Sequence, residues 1–246
     1  MSDQKYTIET EWLKQVDNMI SEGADIIDIG AYSSRPGAEH ISEETESLRL
    51  IKTIDSVRKH FPEILISADT FRASIAEKAI EAGANIINDI SGGTLDKKMF
   101  EKIAELKVPY ILMHMQGTPQ TMQEKPRYEN IVKDIYTFFE EQLKKLNSLG
   151  LTQVIIDPGF GFGKTLENNY ALMRSLEDFI PLNKPVLIGI SRKSMVTKLL
   201  NINKKESING TTILNLIGLQ KGAKIIRVHD VKETKEIITI LNFMND

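Results

Sequence analysis

Two periodicities take turns along this chain. Trp12, Val16, Met19 and Ile20 recur at helical spacing, so residues 7–22 are predicted to form an amphipathic helix closed by Gly23. Directly behind it stands Asp25-Ile26-Ile27-Asp28-Ile29-Gly30, a short β-branched run that suits a strand. The exchange repeats to the C-terminus. Helices are predicted over 42–60, 71–81, 96–106, 130–149, 168–179 and 206–221, with another opening at Ser191-Arg192-Lys193-Ser194 and a last one reaching Phe243. Strands are predicted over 64–68, 85–89, 110–113, 154–156, 186–190 and 224–228. Such alternation argues for a parallel sheet with right-handed crossovers.

A weak internal repeat narrows the architecture. Gly23-Ala24-Asp25-Ile26-Ile27-Asp28 is matched by Gly83-Ala84-Asn85-Ile86-Ile87-Asn88 and by Gly222-Ala223-Lys224-Ile225-Ile226-Arg227. In each, a glycine ends a helix, two isoleucines fill a core layer, and a polar residue stands at the strand's far end. Repetition in βα steps favours a (β/α)8 TIM barrel over an open sheet. The predicted elements are seven strands and eight main helices, so the first strand of a closed barrel is missing from this chain. The expectation is therefore that the encoded product is longer. No linker-like or low-complexity stretch divides residues 1–246, which read as a single domain.

Composition adds mainly exclusions. With 246 residues, 41% of them hydrophobic, the chain can bury a sizeable core. A net charge of −3 gives no reason to expect nucleic acid or an anionic membrane as partner. The absence of cysteine rules out disulfides, thiolate metal sites and a cysteine nucleophile. No apolar run approaches the roughly 18 residues of a membrane span, and the N-terminus lacks the apolar core of a signal peptide, so a cytoplasmic protein is expected.

Candidate chemistry gathers where strands end. Val154-Ile155-Ile156 has the uninterrupted apolar character of a strand buried on both faces, and it stops at Asp157. The loop behind it, Pro158-Gly159-Phe160-Gly161-Phe162-Gly163-Lys164-Thr165, is glycine-rich but matches neither common phosphate motif. A P-loop needs glycine where Pro158 stands, and a dinucleotide fingerprint needs G-x-G-x-x-G rather than G-x-G-x-G. Asp28, Asp69, Asn88, His114, Asp157, Lys193, Arg227 and His229 all fall at predicted strand ends, the face that carries barrel active sites. Any one of them is explained as a cap or an ion pair. As a set they combine carboxylates with cations, which suits a substrate with a neutral, hydrogen-bonding part and an anionic part. His114, between Met113 and Met115, reads as a structural strand-end histidine, and His40 and His60 as surface residues.

These stretches, taken in order, resemble the motifs of the dihydropteroate synthase family: 25–38, 67–70, 88–90, 112–117, 157–165, 191–194 and 227–230, over nearly the whole chain. The resemblance implies condensation of 6-hydroxymethyl-7,8-dihydropterin diphosphate with p-aminobenzoate. It implies that Asp69, Asn88, Asp157 and Lys193 grip the pterin, with Phe162 and Arg227 on its faces and Met113 behind. Arg35, Arg227 and His229 correspond to diphosphate ligands, and these three with Lys193 to the catalytic set. Ser34, Pro36 and Ser194 correspond to the p-aminobenzoate site; the family's threonine-arginine-proline-glycine reads Ser34-Arg35-Pro36-Gly37 here. Mg²⁺ is implied as cofactor, but the family's asparagine ligand belongs to the missing first strand and its loop, leaving no metal ligand in this chain. A homodimer through the later helices is implied, and the apolar face of 211–219 is compatible with it. Two alternatives share the barrel: a pterin-binding methyltransferase domain, and a catalytically impaired pterin binder. The cations around Lys193 and Arg227 weigh against the former, since a methyl donor has no diphosphate to neutralise.

Overall fold

The computed structural model describes residues 2–33, 40–122, 124 and 126–245, with 2–10 and 245 as helix backbone only. Seven strands are present among them: β1 (Ile26–Gly30), β2 (Leu65–Asp69), β3 (Ile86–Asp89), β4 (Tyr110–Met113), β5 (Val154–Asp157), β6 (Leu187–Ile188) and β7 (Ile225–Ile226). The α-helices are α1 (Ser2–Ser21), α2 (Glu43–His60), α3 (Ala73–Glu81), α4 (Met99–Leu106), α5 (Ile131–Ser148), α6 (Leu166–Arg174), α7 (Ser194–Leu200), α8 (Ile208–Gln220) and α9 (Val231–Asn245). That is nine helices among the described residues where eight main ones were expected; α7 and α8, whose starts the sequence marked near Ser191 and Glu206, are both present and are separated by a 3₁₀ turn at Lys204–Glu206.

Local chemistry places these elements. Ser42 caps α2 by accepting the Thr45 N–H at 3.1 Å, Glu43 and Glu44 sit in its first turn, and Arg58, Lys59 and His60 in its last. Each end thus carries the charge that the helix dipole favours. α6 starts at Leu166 rather than 168 because the Thr165 hydroxyl accepts the Asn168 N–H at 3.1 Å. The predicted continuation to 179 instead becomes a 3₁₀ segment, Leu176–Leu182, that contains Pro181, a residue with no N–H for an α-helical bond.

All strand pairs are parallel and follow chain order. β1 to β5 form one sheet, β6 pairs with β7, and a bridge between Ile156 and Val186 joins the two. This is a (β/α) barrel opened between β7 and β1. β6 and β7 keep only two paired residues each, shorter than predicted, as expected where the far side of β7 has no pairing strand among the described residues. Alternation along the strands splits each isoleucine pair of the repeat. Ile26, Ile86 and Ile225 join Ile111, Ile155 and Leu187 inside the barrel, whereas Ile27, Ile87 and Ile226 pack outward against the helices. The two isoleucines therefore serve two core layers rather than one.

Candidate active site

Two residues beyond each inner isoleucine, the same face of the strand reaches the mouth of the barrel. This period places Asp28, Asn88, Met113, Asp157, Gly189 and Arg227 around one opening, with Asp69 paired in register to Asn88 and Met113 to Asp157. Gly30 stands beside Asp69, where a Cβ would lie 3.1 Å from that of the aspartate. A cavity of about 490 Å³ lies at the β1–β7 opening and is lined by Asp28, Gly189, Ser191, Lys193, Arg227 and His229, among others.

Asp28 is the hub of the acidic side. It accepts from Arg227 Nε at 2.6 Å and from Asn88 Nδ2 at 3.3 and 3.4 Å, while Arg227 Nη2 lies 3.5 Å from Asp69. Burial first, then the Asp28 charge, push the Asp69 carboxyl up to about 7 against the pull of Arg227. Asp28 above all holds the Arg227 guanidinium firmly charged. Beneath Asp69, the buried hydroxyl of Ser67 has no hydrogen-bond partner among the described residues.

The other side is built on the glycine loop. Asp157 accepts the Gly159 N–H at 2.8 Å; burial raises its pKa, and Lys193, that N–H, Lys164 and Arg227 act in the opposite direction. Lys193 donates to the Phe160 carbonyl, and its Nζ stands 4.5 Å from the centre of the Phe162 ring. Burial lowers the lysine to about 8, with Asp157 opposing and Arg227 assisting. Phe162 packs with Met113, Met115, Met122 and Ile90 into a separate apolar cluster. Gly159 has φ +71°, and a Cβ there would fall 2.0 Å from the His114 carbonyl oxygen, so the loop can lie on β4 only with glycine at this position.

Two cross-links hold the β6 and β7 loops together. Ser191 Oγ accepts the His229 N–H at 3.2 Å and lies 3.0 Å from His229 Nδ1, and Arg192, at φ 56°, forms a two-pronged ion pair with Asp230.

The structure therefore brings together Asp69, Asn88, Met113, Asp157, Phe162, Lys193, Arg227 and His229. Ser194 differs: it opens α7 exposed to solvent and lines a second cavity of about 260 Å³ with Pro126, Thr165 and Lys198. Ser34, Arg35 and Pro36 lie outside the described residues. Among the described residues no group of three or more His, Asp or Glu side chains could hold a metal ion. His114 is buried against Phe138, ring centres 5.0 Å apart, in a structural setting. Asp28 was counted among the strand-end residues but given no role, and Gly189 and Ser191 were not singled out as site residues. Asp28 was visible as the last residue of the repeat, and Gly189 as a break in an apolar strand, whereas Ser191 carried no signal beyond its place beside Lys193.

Comparison with known proteins follows from this geometry. A family model described as pterin binding enzyme matches residues 2–229. The dihydropteroate synthase of Escherichia coli K12 is 41% identical over 231 residues, covering 93% of this chain and 81% of that protein. Among solved structures, Yersinia pestis dihydropteroate synthase in complex with a sulfonamide drug superposes with a TM-score of 0.91 at 37% identity, covering 96% of this chain and 86% of the other. Xanthomonas albilineans dihydropteroate synthase with 4-aminobenzoic acid gives 0.90 at 32% identity, covering 96% and 85%.

Proposed function

The chain belongs to the dihydropteroate synthase family of pterin-binding enzymes, and we propose that it joins 6-hydroxymethyl-7,8-dihydropterin diphosphate to p-aminobenzoate, forming 7,8-dihydropteroate and pyrophosphate. One observation carries the reading. The Asp157 carboxylate acts electrostatically on both Lys193 and Arg227, and those two cations share a cavity with a glycine, Gly189, between them. A Cβ at Gly189 would lie 3.8 Å from Arg227 Cβ and 3.9 Å from Lys193 Nζ, so the hydrogen there leaves space for a flat ring.

In this reading Asp157 accepts two N–H bonds from the 2-amino and N3 positions of the pterin, and Lys193 donates to its 4-oxo group. Asp69 and Asn88 take the ring's other polar edge, and Phe162 and Arg227 cover its faces. The bond between the pterin methylene carbon and the diphosphate oxygen breaks with both electrons leaving on oxygen. The aniline nitrogen then attacks the resonance-stabilised pterin cation and loses a proton. Arg227 and Arg35 neutralise the departing diphosphate, with His229 as a further ligand to it, and Lys193 and Arg227 with Asp157 hold the cation beside the nucleophile. Catalysis is then mainly positioning and charge stabilisation. A relative that holds 4-aminobenzoic acid supports p-aminobenzoate as a substrate; its placement at Ser34, Pro36 and Ser194 is part of the proposal.

Among the described residues no group of three or more His, Asp or Glu side chains is gathered for Mg²⁺. We place that ion with the diphosphate substrate, as is usual for Mg²⁺, and route no step through it. A homodimer is proposed through the late helices, where Leu199, Leu200, Ile213, Ile240 and Phe243 are exposed. No helix among the described residues is long and apolar enough to cross a membrane, and a cytoplasmic location is proposed. The cationic cluster favours this reading over a methyltransferase domain.

Titration with a pterin, followed by measurement of pyrophosphate release in the presence of p-aminobenzoate, tests the proposal. Asp157→Asn is expected to weaken pterin binding by about 2–3 kcal/mol, the cost of removing a charged hydrogen-bond acceptor. Pterin binding without pyrophosphate release identifies a binder instead. No pterin binding at all refutes the assignment.

A further inference from the structure

Lys164 is a buried cation for which the chemistry above has no use. Only 4% of it is exposed. Its Nζ donates to the Phe162 carbonyl at 2.9 Å, to the His114 carbonyl at 3.3 Å and to His114 Nδ1 at 3.1 Å. An ammonium can serve both carbonyls and the ring nitrogen with its three N–H groups. The ring nitrogen accepts, so His114 is neutral; burial and then the lysine's charge hold its pKa down at about 2.

The charged groups acting on this ammonium are Asp157, which attracts it, and Lys193, which repels it; burial pushes its pKa well down. The nearby Tyr128 hydroxyl is engaged with the Gly163 carbonyl at 2.9 Å. The glycine loop is thus gripped from two sides. From the mouth, Lys193 holds the Phe160 carbonyl and covers the Phe162 ring. From beneath, Lys164 holds the Phe162 carbonyl and ties it to the end of β4.

We propose that Lys164 is a positioning residue for the pterin. Its ammonium clamps the 158–165 loop to the end of β4, fixing the Phe162 ring, and supplies from below a charge that keeps the Asp157 carboxylate ionised. This rests on the reading of the cavity as a pterin site. Asp157 is faced by Lys193, the Gly159 N–H, Lys164 and Arg227, so removing Lys164 leaves two cations in place and weakens the site without emptying it.

The test is pterin titration of wild type and Lys164→Met across pH, alongside a thermal melt. A chain that folds is expected to bind pterin about tenfold more weakly near neutral pH, the effect of one lost charge at moderate distance in a partly screened site. Loss of that cation raises the Asp157 pKa, so the acid limb of pterin binding moves to higher pH. A loop that merely packs would not shift the pH limb. If Lys164→Met does not fold, His114→Leu decides: it removes one acceptor and leaves the lysine, and is expected to weaken pterin binding by about threefold. Wild-type pterin affinity and an unmoved acid limb in Lys164→Met, or wild-type affinity in His114→Leu where that variant decides, overturn the proposal. Failure of the wild-type chain to bind pterin overturns instead the functional reading on which it rests.

Discussion

Replacing Asp28 with Asn removes one of two carboxylates that share the Arg227 guanidinium. The Asp28 oxygen lies 2.6 Å from Nε and the Asp69 oxygen 3.5 Å from Nη2. Carboxylates on two prongs of one guanidinium stand on the order of 6 Å apart, and at an effective dielectric constant of about 20–40 they repel by about 1.4–2.8 kcal/mol. At about 1.4 kcal/mol per pH unit, Asp28→Asn lowers the Asp69 midpoint, raised to about 7 in the native site, by about one to two pH units. The freed guanidinium can turn toward Asp69 and acts in the same direction. Burial, the larger cause, remains, so the midpoint stays above the ordinary carboxylate range. Asn keeps the size of the side chain and an acceptor for Asn88. Ionised Asp69 is the better acceptor for pterin N–H groups, so wild-type pterin affinity rises with pH through about 7, and that limb shifts to lower pH in the variant. Stability follows the linked sign. The native Asp69 pKa lies above its unfolded value, so this group's contribution falls as pH rises from about 4 to about 7, and the variant flattens the fall. Calorimetric titration with a pterin at stepped pH, with the Asp69 carboxyl followed by NMR, reads both effects. A midpoint that stays put or moves up refutes the reasoning.

Two further substitutions probe the supports. Tyr110→Phe removes the hydroxyl that donates to buried Asp89 at 2.6 Å, leaving the donors Ser91 N–H, Ser91 Oγ and Gly93 N–H. Urea unfolding is expected to register a loss of about 1–3 kcal/mol, with pterin affinity unchanged because Asp89 faces away from the mouth. Gly159→Ala puts a Cβ against the His114 carbonyl at a positive φ, so melting and pterin affinity are expected to fall together, stability by at least about 2 kcal/mol. A melt indistinguishable from wild type would mean that the loop does not lie on β4 as described.

What the sequence made legible was whatever a period or a repeat encodes. The glycine–isoleucine–isoleucine–polar repeat located β1, β3 and β7, and its last residues proved to be one cluster: Asn88 and Arg227 both donate to Asp28. Strand alternation puts that polar residue on the face of the first isoleucine, a split between the two isoleucines that the repeat alone did not reveal. The residues that were missed depend on distant partners. The Lys164 ammonium meets a histidine fifty residues earlier in the chain, and Arg58 in α2 donates to Gly83 and Asn85 across the next βα unit. No local pattern distinguishes such a cation from one on a solvated face. Ser194 follows Lys193 in sequence yet lines a separate cavity, because a helix begins between them.

The same cluster also explains how an opened barrel keeps one mouth. Between β7 and β1 no backbone ladder runs among the described residues, yet the Arg227–Asp28 pair spans the opening at the mouth. Arg227 is 45% exposed and Asp28 16%, so water screens the pair and its net strength lies nearer that of a surface ion pair than of a buried one. Lys235 and Asp25 make a second, still more exposed link between α9 and the start of β1. Charge therefore does at the β7–β1 edge what hydrogen-bonded strands do elsewhere, but more weakly. The cation that spans the opening is also the one proposed to cover the pterin and meet the diphosphate. Arg227 holds Asp28 through Nε alone, so its Nη groups can meet phosphate oxygens while the same guanidinium still ties β7 to the β1 edge.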